Sequence, residues 1–385
     1  MKILLFSSKF PPMVGGVENV VYNLAHNFKM SKHHVVIVSS YIFNKNSRNF
    51  FKILKKENYN SLRVYRVFMS LPRSLLGFLI FPYRFLVSFL NMVKIIKKES
   101  PDIIHFHFPD DSLYYFYLLT IFNFFPPFVL SIHGNELHLF SKKIIYRFFL
   151  KSLLNKSCFI VVNSTFMKEE LIKNYSQVDL RKVKIIPNGI NIKDFYNKNP
   201  SENLNSYFLF VGRLAPKKGV DILIKAYNKV CSKISRNLYI LGPEVTQGKP
   251  LHFYKNLSKC PKIKFLGKVT GDELKEYFKK AYFTVFPSRI EPFGIVALES
   301  LSSGTPFIAS NTGGLKEIAQ KTNGGILFKN KSVSSLAKTL LKIDSDTSIK
   351  KVLQKNGLKN ILFYDWETIS KNYLNLYEKA KASCS

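Results

Sequence analysis

A twelve-residue stretch, 288–299, joins the exit of a buried strand to the start of a helix and constrains the fold more than any other part of the chain. Residues 282–286 form a short apolar run that stops at Pro287, the pattern of an internal parallel strand followed by a break. Apolar residues then recur at helical spacing, at Ile295, Leu298 and Leu301. This spacing predicts a helix that starts near Phe293. A strand that feeds directly into a helix is the repeating unit of an α/β sheet.

Two carboxylates, Glu291 and Glu299, mark the ends of this stretch. The first N–H groups of the predicted helix point past the carboxyl end of the strand, where a phosphate would bind. Glu291 precedes the helix and Glu299 lies about two turns into it, so both can face that space. Carboxylates accept charge-strengthened hydrogen bonds from sugar hydroxyls. The alternative for a lone carboxylate pair is an exposed loop residue and a solvated helix position.

Strand-like apolar runs alternate with helical segments along the whole chain, in two series. A chain of 385 residues, 46% of them apolar, is too long for one comfortable core and can bury two. A polar run at 197–206 reads as a linker between the series. We therefore predict two Rossmann-like doubly wound domains facing a cleft, at 1–190 and 191–365, with a C-terminal helix over 366–385. The predicted strands are 2–7, 35–40, 128–132, 158–163, 207–211, 238–242, 263–266, 282–286 and 306–309.

Glycines and histidines follow the first strands. Gly15 and Gly16 come after the first one, and paired glycines let the backbone approach a ligand closely at the carboxyl end of a parallel strand. His105 and His107 alternate along an extended segment, so they share one face. No nearby Cys or third His completes a metal-binding set with them. No metal site is predicted.

Further polar residues follow later strands. His133 comes directly after the strand 128–132, where a lone histidine more often has a structural role. The second series opens with the loop 212–219, which holds Arg213 and Lys218 five residues apart. Two cations at a strand end form a natural clamp for a diphosphate that leaves with developing negative charge. The alternative is a solvated basic loop.

These motifs carry a family resemblance. The letters EPFGIVALE at 291–299 resemble the signature of the retaining, nucleotide-sugar-dependent glycosyltransferases of family four, which share the two-domain GT-B architecture. GRLAPKKG at 212–219 resembles that family's GRL…KG element, and IPNG at 186–189 resembles the crossing at the end of its first domain. The elements occur in the family's order over nearly the whole chain. The resemblance implies that the C-terminal helix returns to the first domain.

The resemblance implies roles for the residues of the 288–299 stretch. Glu291 would contact the donor sugar. The amides of Phe293, Gly294 and Ile295 would hold the diphosphate. Glu299 would hold the ribose hydroxyls of the nucleotide.

The family resemblance also implies a mechanism. Arg213 and Lys218 would stabilise the departing diphosphate, and an oxocarbenium-like centre would form beside His133, so these three residues and Glu291 form the predicted catalytic set. The family retains the anomeric configuration without a metal or a cofactor, and no Asp-x-Asp motif is in place here to hold a cation. The resemblance further implies donor contacts at Gly15 and Gly16 and acceptor-side positions at Glu18 and His107.

The function implied is mannosyltransferase-like: transfer of a hexose from a UDP- or GDP-linked donor to a glycan or to a polyprenyl- or glycerolipid-linked acceptor. The product would belong to a cell-surface polysaccharide or glycolipid. A nucleotide-sugar epimerase or an α-glucan phosphorylase would use the same architecture, but the lysine that a phosphorylase needs for pyridoxal phosphate cannot be located. A nucleic-acid binder would explain the net charge of +33, yet the basic residues are spread over α/β helices without a recognisable binding module. No nucleic-acid partner is predicted.

A basic and apolar segment at 52–98 favours a membrane surface. Residues 75–93 are long enough to span a bilayer, but Arg84 at the helix centre would cost roughly 2.5–3.5 kcal/mol and Pro82 would kink the helix. Lying flat on an anionic leaflet suits the segment better, the alternative being a buried helix-turn-helix with a solvated basic rim. The cations of the segment are Lys52, Lys55, Lys56, Arg63, Arg66, Arg73, Arg84, Lys94, Lys97 and Lys98. A later helix adds Lys142, Lys143, Arg147 and Lys151.

The spacing of the cysteines indicates the redox compartment of the protein. They are far apart and show no CxxC pairing, so neither a disulfide framework nor a zinc site is predicted. They are Cys158, Cys231, Cys260 and Cys384. Met1 is followed at once by a strand-like run, without the pattern of a signal peptide. We therefore expect a cytoplasmic protein that is peripheral on the inner face of the cell membrane.

Overall fold

The computed structural model divides into two compact units, one made of Met1–Pro187 with Trp366–Ser385 and the other of Asn188–Asp365. Each unit is built on its own largely parallel sheet with helices on both faces, which confirms the predicted fold class. The predicted linker lies outside the described residues except for Ser206. The structure describes residues 1–13, 15–41, 54–72, 75–122, 125–134, 137, 144–196, 206–245 and 248–384.

The elements alternate between strand and helix over most of the chain. The strands are β1 (Lys2–Ser7), β2 (His34–Ser40), β3 (Leu54–Tyr59), β4 (Leu62–Val67), β5 (Ile103–His107), β6 (Phe128–Ile132), β7 (Phe159–Val162), β8 (Val183–Ile185), β9 (Tyr207–Val211), β10 (Leu238–Leu241), β11 (Ile263–Gly267), β12 (Ala281–Phe286), β13 (Phe307–Ser310) and β14 (Gly325–Phe328). The helices are α1 (Gly16–Met30), α2 (Leu75–Glu99), α3 (Leu113–Leu119), α4 (Ile144–Lys156), α5 (Thr165–Asn174), α6 (Ile192–Phe195), α7 (Val220–Val230), α8 (Leu251–Leu257), α9 (Gly271–Lys280), α10 (Ile295–Ser302), α11 (Gly313–Thr322), α12 (Val333–Ser345), α13 (Ser348–Asn360) and α14 (Trp366–Cys384).

The sheet of the first unit runs in the order β3-β4-β2-β1-β5-β6-β7-β8, and only the β3–β4 pairing is antiparallel among these strands. Helices α2 to α5 pack on one face of it, and α1 and α14 pack on the other. Burial on both faces explains why the inner strands β1, β2, β6 and β7 are largely apolar rather than alternating. The C-terminal helix α14 buries Trp366, Tyr373 and Tyr377 in this unit.

The sheet of the second unit runs β11-β10-β9-β12-β13-β14 and is parallel throughout the described strands. The chain moves outward from β9 to β11 and then returns to place β12 on the other side of β9. The connections on the two sides therefore diverge, and the loops after β9 and β12 flank the point of reversal at the carboxyl ends of the strands. Open parallel sheets usually bind ligands at such a point. In the first unit the same reversal lies between β1 and β5.

The basic segment at 52–98 is not the buried helix-turn-helix that the sequence offered as one alternative, because only its second half is a helix. Its first described part forms the hairpin β3–β4, whose two-residue turn at Asn60 and Ser61 has positive φ angles of 47° and 65°. Such a turn matches the twist of a hairpin. Arg66 is buried, and its guanidinium forms an ion pair with the Glu57 carboxylate at 2.7 Å, so it is not a surface cation. Lys52 and Arg73 lie outside the described residues.

The prediction that no disulfide forms was wrong for Cys231 and Cys260. These two residues form a disulfide, with their Cα atoms 5.8 Å apart. Cys231 ends α7 and Cys260 precedes β11, so two successive β/α units bring them to the same edge of the sheet. Their separation of 29 residues in sequence gave no sign of this contact.

Candidate active site

The loops after β9 and β12 meet through an ion pair. Lys218 Nζ lies 2.6 Å from Glu291 Oε2, and the Ser288 hydroxyl donates to the same oxygen at 2.9 Å. The Lys218 and Glu291 side chains are only 19% and 14% exposed. The sequence analysis predicted that both residues contact the sugar donor. They lie together because β9 and β12 are neighbouring strands.

Two glycines allow the backbones to approach at this edge. Gly219 has φ +67°, and a Cβ there would lie 2.0 Å from the carbonyl oxygen of Pro287, so no other residue fits. A Cβ on Gly314 would lie 2.3 Å from the carbonyl oxygen of Phe293. The Gly314 amide donates to the Glu291 carbonyl at 3.0 Å. The start of α11 therefore supports the Glu291 loop from behind.

A second ion pair, which the sequence did not reveal, ties the same two loops together. The Arg289 guanidinium donates to both carboxylate oxygens of Asp221, at 2.8 and 2.6 Å, and to the Pro216 carbonyl at 2.6 Å. The Arg289 amide donates to the Lys217 carbonyl at 2.8 Å, and Asn330 donates to the Arg289 carbonyl. Burial alone would raise the pKa of Asp221, but the hydrogen bonds and charge of Arg289 lower it. We call this set of contacts the Arg289 clasp.

Positive charge is concentrated in the loop after β9. The Arg213 side chain is exposed and has no hydrogen bond or ion pair to any residue in the described part of the chain. Desolvation, and then the charges of Arg213 and Lys218, lower the pKa of Lys217. Three cations therefore lie close together, and among the residues that the structure describes Lys218 alone of the three has an ion pair.

Helix α10 begins at Ile295, two residues later than predicted, with Gly294 as its N-cap at φ 104°. The left-handed backbone at Gly294 delays the helix, and Glu299 consequently lies about one turn into it rather than two. The Phe293 side chain is buried against Tyr364, so only its backbone can face a ligand. The first N–H groups of α10 have no acceptors within the helix.

Glu299 stands apart from these ion pairs. Its carboxylate has no hydrogen bond or ion pair to the residues that the structure describes. Burial raises the pKa of Glu299 to about 7. A carboxylate whose pKa is near neutral pH, and which has no partner among the described residues, can accept hydrogen bonds from the hydroxyl groups of a ligand.

In the first unit, Gly15 and Gly16 lie at the start of α1, beside Glu18. Glu18 is buried in the first turn of α1, where the helix dipole favours a carboxylate. A Cβ on Gly15 would lie 2.4 Å from Glu18 Oε2. Gly15 therefore makes room for the carboxylate of Glu18, and Gly16 opens the helix. The donor roles of Gly15 and Gly16 and the acceptor-side role of Glu18 stay predictions.

Three histidines meet at the carboxyl ends of β5 and β6. His105 and His107 lie on one face as predicted, with their rings 3.8 Å apart. His133, which the sequence analysis did not group with them, lies beside His107, with its Nε2 3.3 Å from His107 Nδ1. Both ring nitrogens of His105 are hydrogen-bonded, to Tyr377 at 2.5 Å and to Ser131 at 2.7 Å. We call His105, His107 and His133 the histidine cluster.

The histidine cluster is neutral at physiological pH. Burial, and then the positive charge of Lys9, lower the pKa of His133 to about 4. Burial also lowers the pKa values of His105 and His107 well below the ordinary value. Among the described residues, no group of three His, Cys, Asp or Glu side chains has the arrangement of a metal site. Asn135, Glu136, Lys142 and Lys143 lie outside those residues.

An Asp-x-Asp sequence does occur, at Asp344–Asp346, but it lies at the end of α12. The Asp344 carboxylate accepts hydrogen bonds from Arg236 at 2.5 Å and from the Ser235 amide at 2.8 Å. This carboxylate links the segment before β10 to the end of α12 and is not part of the loops after β9 and β12.

Comparisons with known proteins identify the family. Residues 191–360 match the family Glycosyl transferases group 1, and residues 14–194 match Glycosyltransferase Family 4. An uncharacterized glycosyltransferase of Methanocaldococcus jannaschii is 30% identical over 99% of this chain and 98% of its own. The O-antigen chain mannosyltransferase of Salmonella typhimurium is 35% identical over 49% of this chain and 51% of its own.

The fold has solved counterparts. The crystal structure of Anabaena HepE in complex with UDP superimposes with a TM-score of 0.77 at 19% identity, covering 98% of this chain and 100% of that one. The chain belongs to the group 1, family 4 glycosyltransferases and has the GT-B fold.

Proposed function

We propose that this glycosyltransferase moves a hexose, with retention of anomeric configuration, from a UDP- or GDP-linked donor to a glycan or lipid-linked acceptor of a cell-surface polysaccharide or glycolipid. The observation that carries the proposal is the Lys218–Glu291 pair at the start of α10, beside the exposed Arg213. A similar protein named as an O-antigen chain mannosyltransferase supports a hexose and a surface polysaccharide.

The loop cations and the helix amides suit the leaving group. When the bond between the anomeric carbon and the diphosphate breaks, its electron pair stays with the diphosphate oxygen, and negative charge develops there. Arg213, Lys218 and the first N–H groups of α10 would stabilise that charge, because preorganised donors act most strongly on charge that appears in the transition state. Glu291 positions Lys218 before the donor arrives and would accept hydrogen bonds from sugar hydroxyls.

The neutral histidine cluster suits the sugar side of the same step. The anomeric carbon becomes positive as the diphosphate leaves. With a pKa of about 4, His133 is uncharged at neutral pH and does not repel a cationic centre. A neutral imidazole beside the sugar would still offer one hydrogen-bond donor and one acceptor.

Glu299 suits the nucleotide. Ribose hydroxyls that donate to a carboxylate favour its ionised form, whereas burial favours the protonated form. Nucleotide binding would therefore lower the pKa of Glu299. The affinity for a nucleotide should rise with pH until Glu299 is ionised in the free protein.

Donor binding is tested by thermal-shift and donor-hydrolysis screens of UDP- and GDP-sugars. We expect one nucleotide class to stabilise the protein, and Lys218→Gln to abolish this stabilisation. Lys217→Gln is the matched control, because Lys217 is the adjacent cation and its ammonium has no carboxylate partner among the described residues. If no nucleotide sugar binds, or if both variants bind as well as the wild type, the proposed donor site is wrong.

The proposal also assigns charge neutralisation to the chain itself rather than to a metal ion. Transfer should therefore persist in excess EDTA. Complete loss of transfer that magnesium or manganese restores would rule out this assignment.

A further inference from the structure

An exposed apolar stripe runs along α2 of the first unit. Its side chains recur every three or four residues and so lie on one face of the helix. Leu79 is 74% exposed, far more than an apolar residue of a packed helix. The exposed apolar residues of α2 are Leu75, Phe78, Leu79, Tyr83, Leu86 and Leu90.

The opposite face of α2 belongs to the core. Met92, Ile95 and Ile96 are buried against the sheet. Arg84 is also turned inward: it is only 8% exposed, and its guanidinium lies 5.1 Å from the centre of the Phe68 ring. Of the cations listed for the segment 52–98, Arg84 is therefore not available to a surface outside the unit.

By length and composition α2 is apolar enough to cross a bilayer, as Gly77–Glu99, the one such helix in the described part of the chain. Its inner face is packed on the domain, however, and a spanning helix needs lipid or another membrane segment around its whole circumference. The helix continues through Pro82, which lies on the exposed face. The geometry allows α2 to lie on a membrane but not to cross it without unpacking.

Helix α4 extends the apolar surface. Ile144 is 86% exposed, and Ile145 and Phe148 are also exposed beside the exposed cations Arg147 and Lys151. Helix α3 packs against both α2 and α4, and Ile121 and Phe122 in the turn after it are exposed too. We call the outward-facing side of these three helices the α2–α4 face.

Cations, without acids, accompany the apolar residues. Lys94, Lys97 and Lys98 continue the exposed stripe of α2 beyond Leu90. No Asp or Glu occurs in α2 before its last residue, or anywhere in α4. That last residue, Glu99, is buried and accepts hydrogen bonds from Arg63 and Tyr65.

We propose that the α2–α4 face docks flat on an anionic lipid bilayer. Apolar side chains at the level of the headgroups, with lysines and arginines beside them, are the combination that binds such a surface. A second copy of this chain is a poorer occupant, because a symmetric contact would place the same cations against each other. The inference does not depend on the proposed function, since binding is measured without any donor sugar.

Vesicle co-sedimentation of the full chain tests the proposal. We expect binding to phosphatidylcholine vesicles that contain phosphatidylglycerol, weak binding without the anionic lipid, and release by high salt. The charge variant is Lys94→Gln/Lys97→Gln/Lys98→Gln. Each lysine near an anionic leaflet changes partitioning by about fivefold, so the variant should bind about a hundredfold more weakly.

The matched control removes three exposed lysines from the opposite side of the same sheet, as Lys32→Gln/Lys371→Gln/Lys379→Gln. It should bind within about fivefold of the wild type, since these lysines would face away from the bilayer. Leu79→Ser/Leu86→Ser should also weaken binding, whereas Val352→Ser/Leu362→Ser, at exposed positions of the second unit, should not. All these side chains are exposed, and the fluorescence of the single tryptophan, Trp366, checks that each variant is folded.

Four outcomes would overturn the proposal. The protein could stay in the supernatant with anionic vesicles at low salt, or the control lysines could matter as much as those of α2. Light scattering could show a dimer that Leu79→Ser/Leu86→Ser dissociates, which would assign the face to a second copy. Bound protein that resists alkaline carbonate would indicate a spanning helix.

Discussion

The two units share one architecture but hold opposite kinds of chemistry at the carboxyl ends of their sheets. In the second unit the loops after β9 and β12 are charged and tied by two ion pairs, Lys218–Glu291 and Arg289–Asp221. In the first unit the corresponding edge holds the neutral histidine cluster. In both units the strand order creates a site at the carboxyl ends of the sheet, and the side chains at that site determine its chemistry.

The difference follows from the availability of partners. A buried cation next to a carboxylate keeps its charge because the pair compensates for the loss of water. The histidine cluster has the cation Lys9 nearby, which together with burial favours the neutral form of His133. The partly exposed side chains of the second unit are therefore paired with opposite charges, whereas the fully buried His105 and His107 of the first unit are neutral.

The largest effect that we expect from this contrast is acid destabilisation of the first unit. The pKa of His133 is about 4 in the folded chain against 6.5 ordinarily. The unfolded state then binds more protons than the folded state. The contribution of His133 to the free energy of unfolding is therefore fully present above pH 6.5 and is lost as the pH drops toward 4. His133 accounts for up to about 3 kcal/mol of this loss, and His105 and His107 add to it.

Trp366, the single tryptophan, is buried in the first unit, so denaturant unfolding followed by its fluorescence reports on that unit. His133→Asn should flatten the dependence of unfolding free energy on pH between 6.5 and 4. His252→Asn, at an exposed position of the second unit, is the control and should leave it unchanged. A wild-type slope in His133→Asn would contradict the neutral cluster.

The second unit should respond to pH in the opposite direction through Glu299. Its pKa rises from 4.5 to about 7 on folding, so the folded state holds a proton that the unfolded state releases. Stability should fall as the pH rises from 4.5 to 7, by at most about 3 kcal/mol, because partial exposure reduces the effect. Hydrogen exchange over residues 281–302, corrected for intrinsic rates, measures it. Glu299→Gln should remove the dependence, and Glu273→Gln, an exposed carboxylate of α9, should not.

Charge should matter to transfer mainly in the second unit. Glu291→Gln and Arg213→Ala should each raise the barrier by at least about 2 kcal/mol, the loss typical of one preorganised charge contact. The measurement is kcat/KM for hexosyl transfer, with folding checked by circular dichroism. Near-native turnover in either variant would mean that the donor site lies elsewhere.

The Arg289 clasp should have the smallest of these effects, because it acts through the loop that holds Lys218. Arg289→Ala and Asp221→Ala should each slow transfer by about tenfold, and the double variant by no more than either one, which is a coupling of about 1.4 kcal/mol. Arg289→Lys should rescue transfer only in part, since an ammonium cannot make the bidentate contact. The exposed Lys371–Glu367 pair of α14 is the control, and Lys371→Ala should have no effect. Additive losses would show that the two residues act independently.

Much of the fold could be read from the sequence. Strands β1, β6 and β9 have the predicted bounds, because each is a continuous apolar run that stops at a polar or glycine residue. The hairpin β3–β4 was missed, since its basic residues resemble those of a solvated helix and its Asn-Ser turn is a weak signal. The start of α10 was placed two residues early, because the left-handed backbone of Gly294 is set by the packing of Leu315 against it.

The sequence by itself determined the local features: which segments are strands and helices, and which polar residues stand at strand ends, because these follow from apolar period and turn residues over a few positions. Only the tertiary structure decided which of those residues meet. Lys218 and Glu291 are 73 residues apart, and Arg289 and Asp221 are 68 apart. They touch because β12 returns beside β9, and His133 reaches His107 because β6 pairs with β5. Strand order is a global property of packing, and so are the outward face of α2 and the environment that sets each pKa.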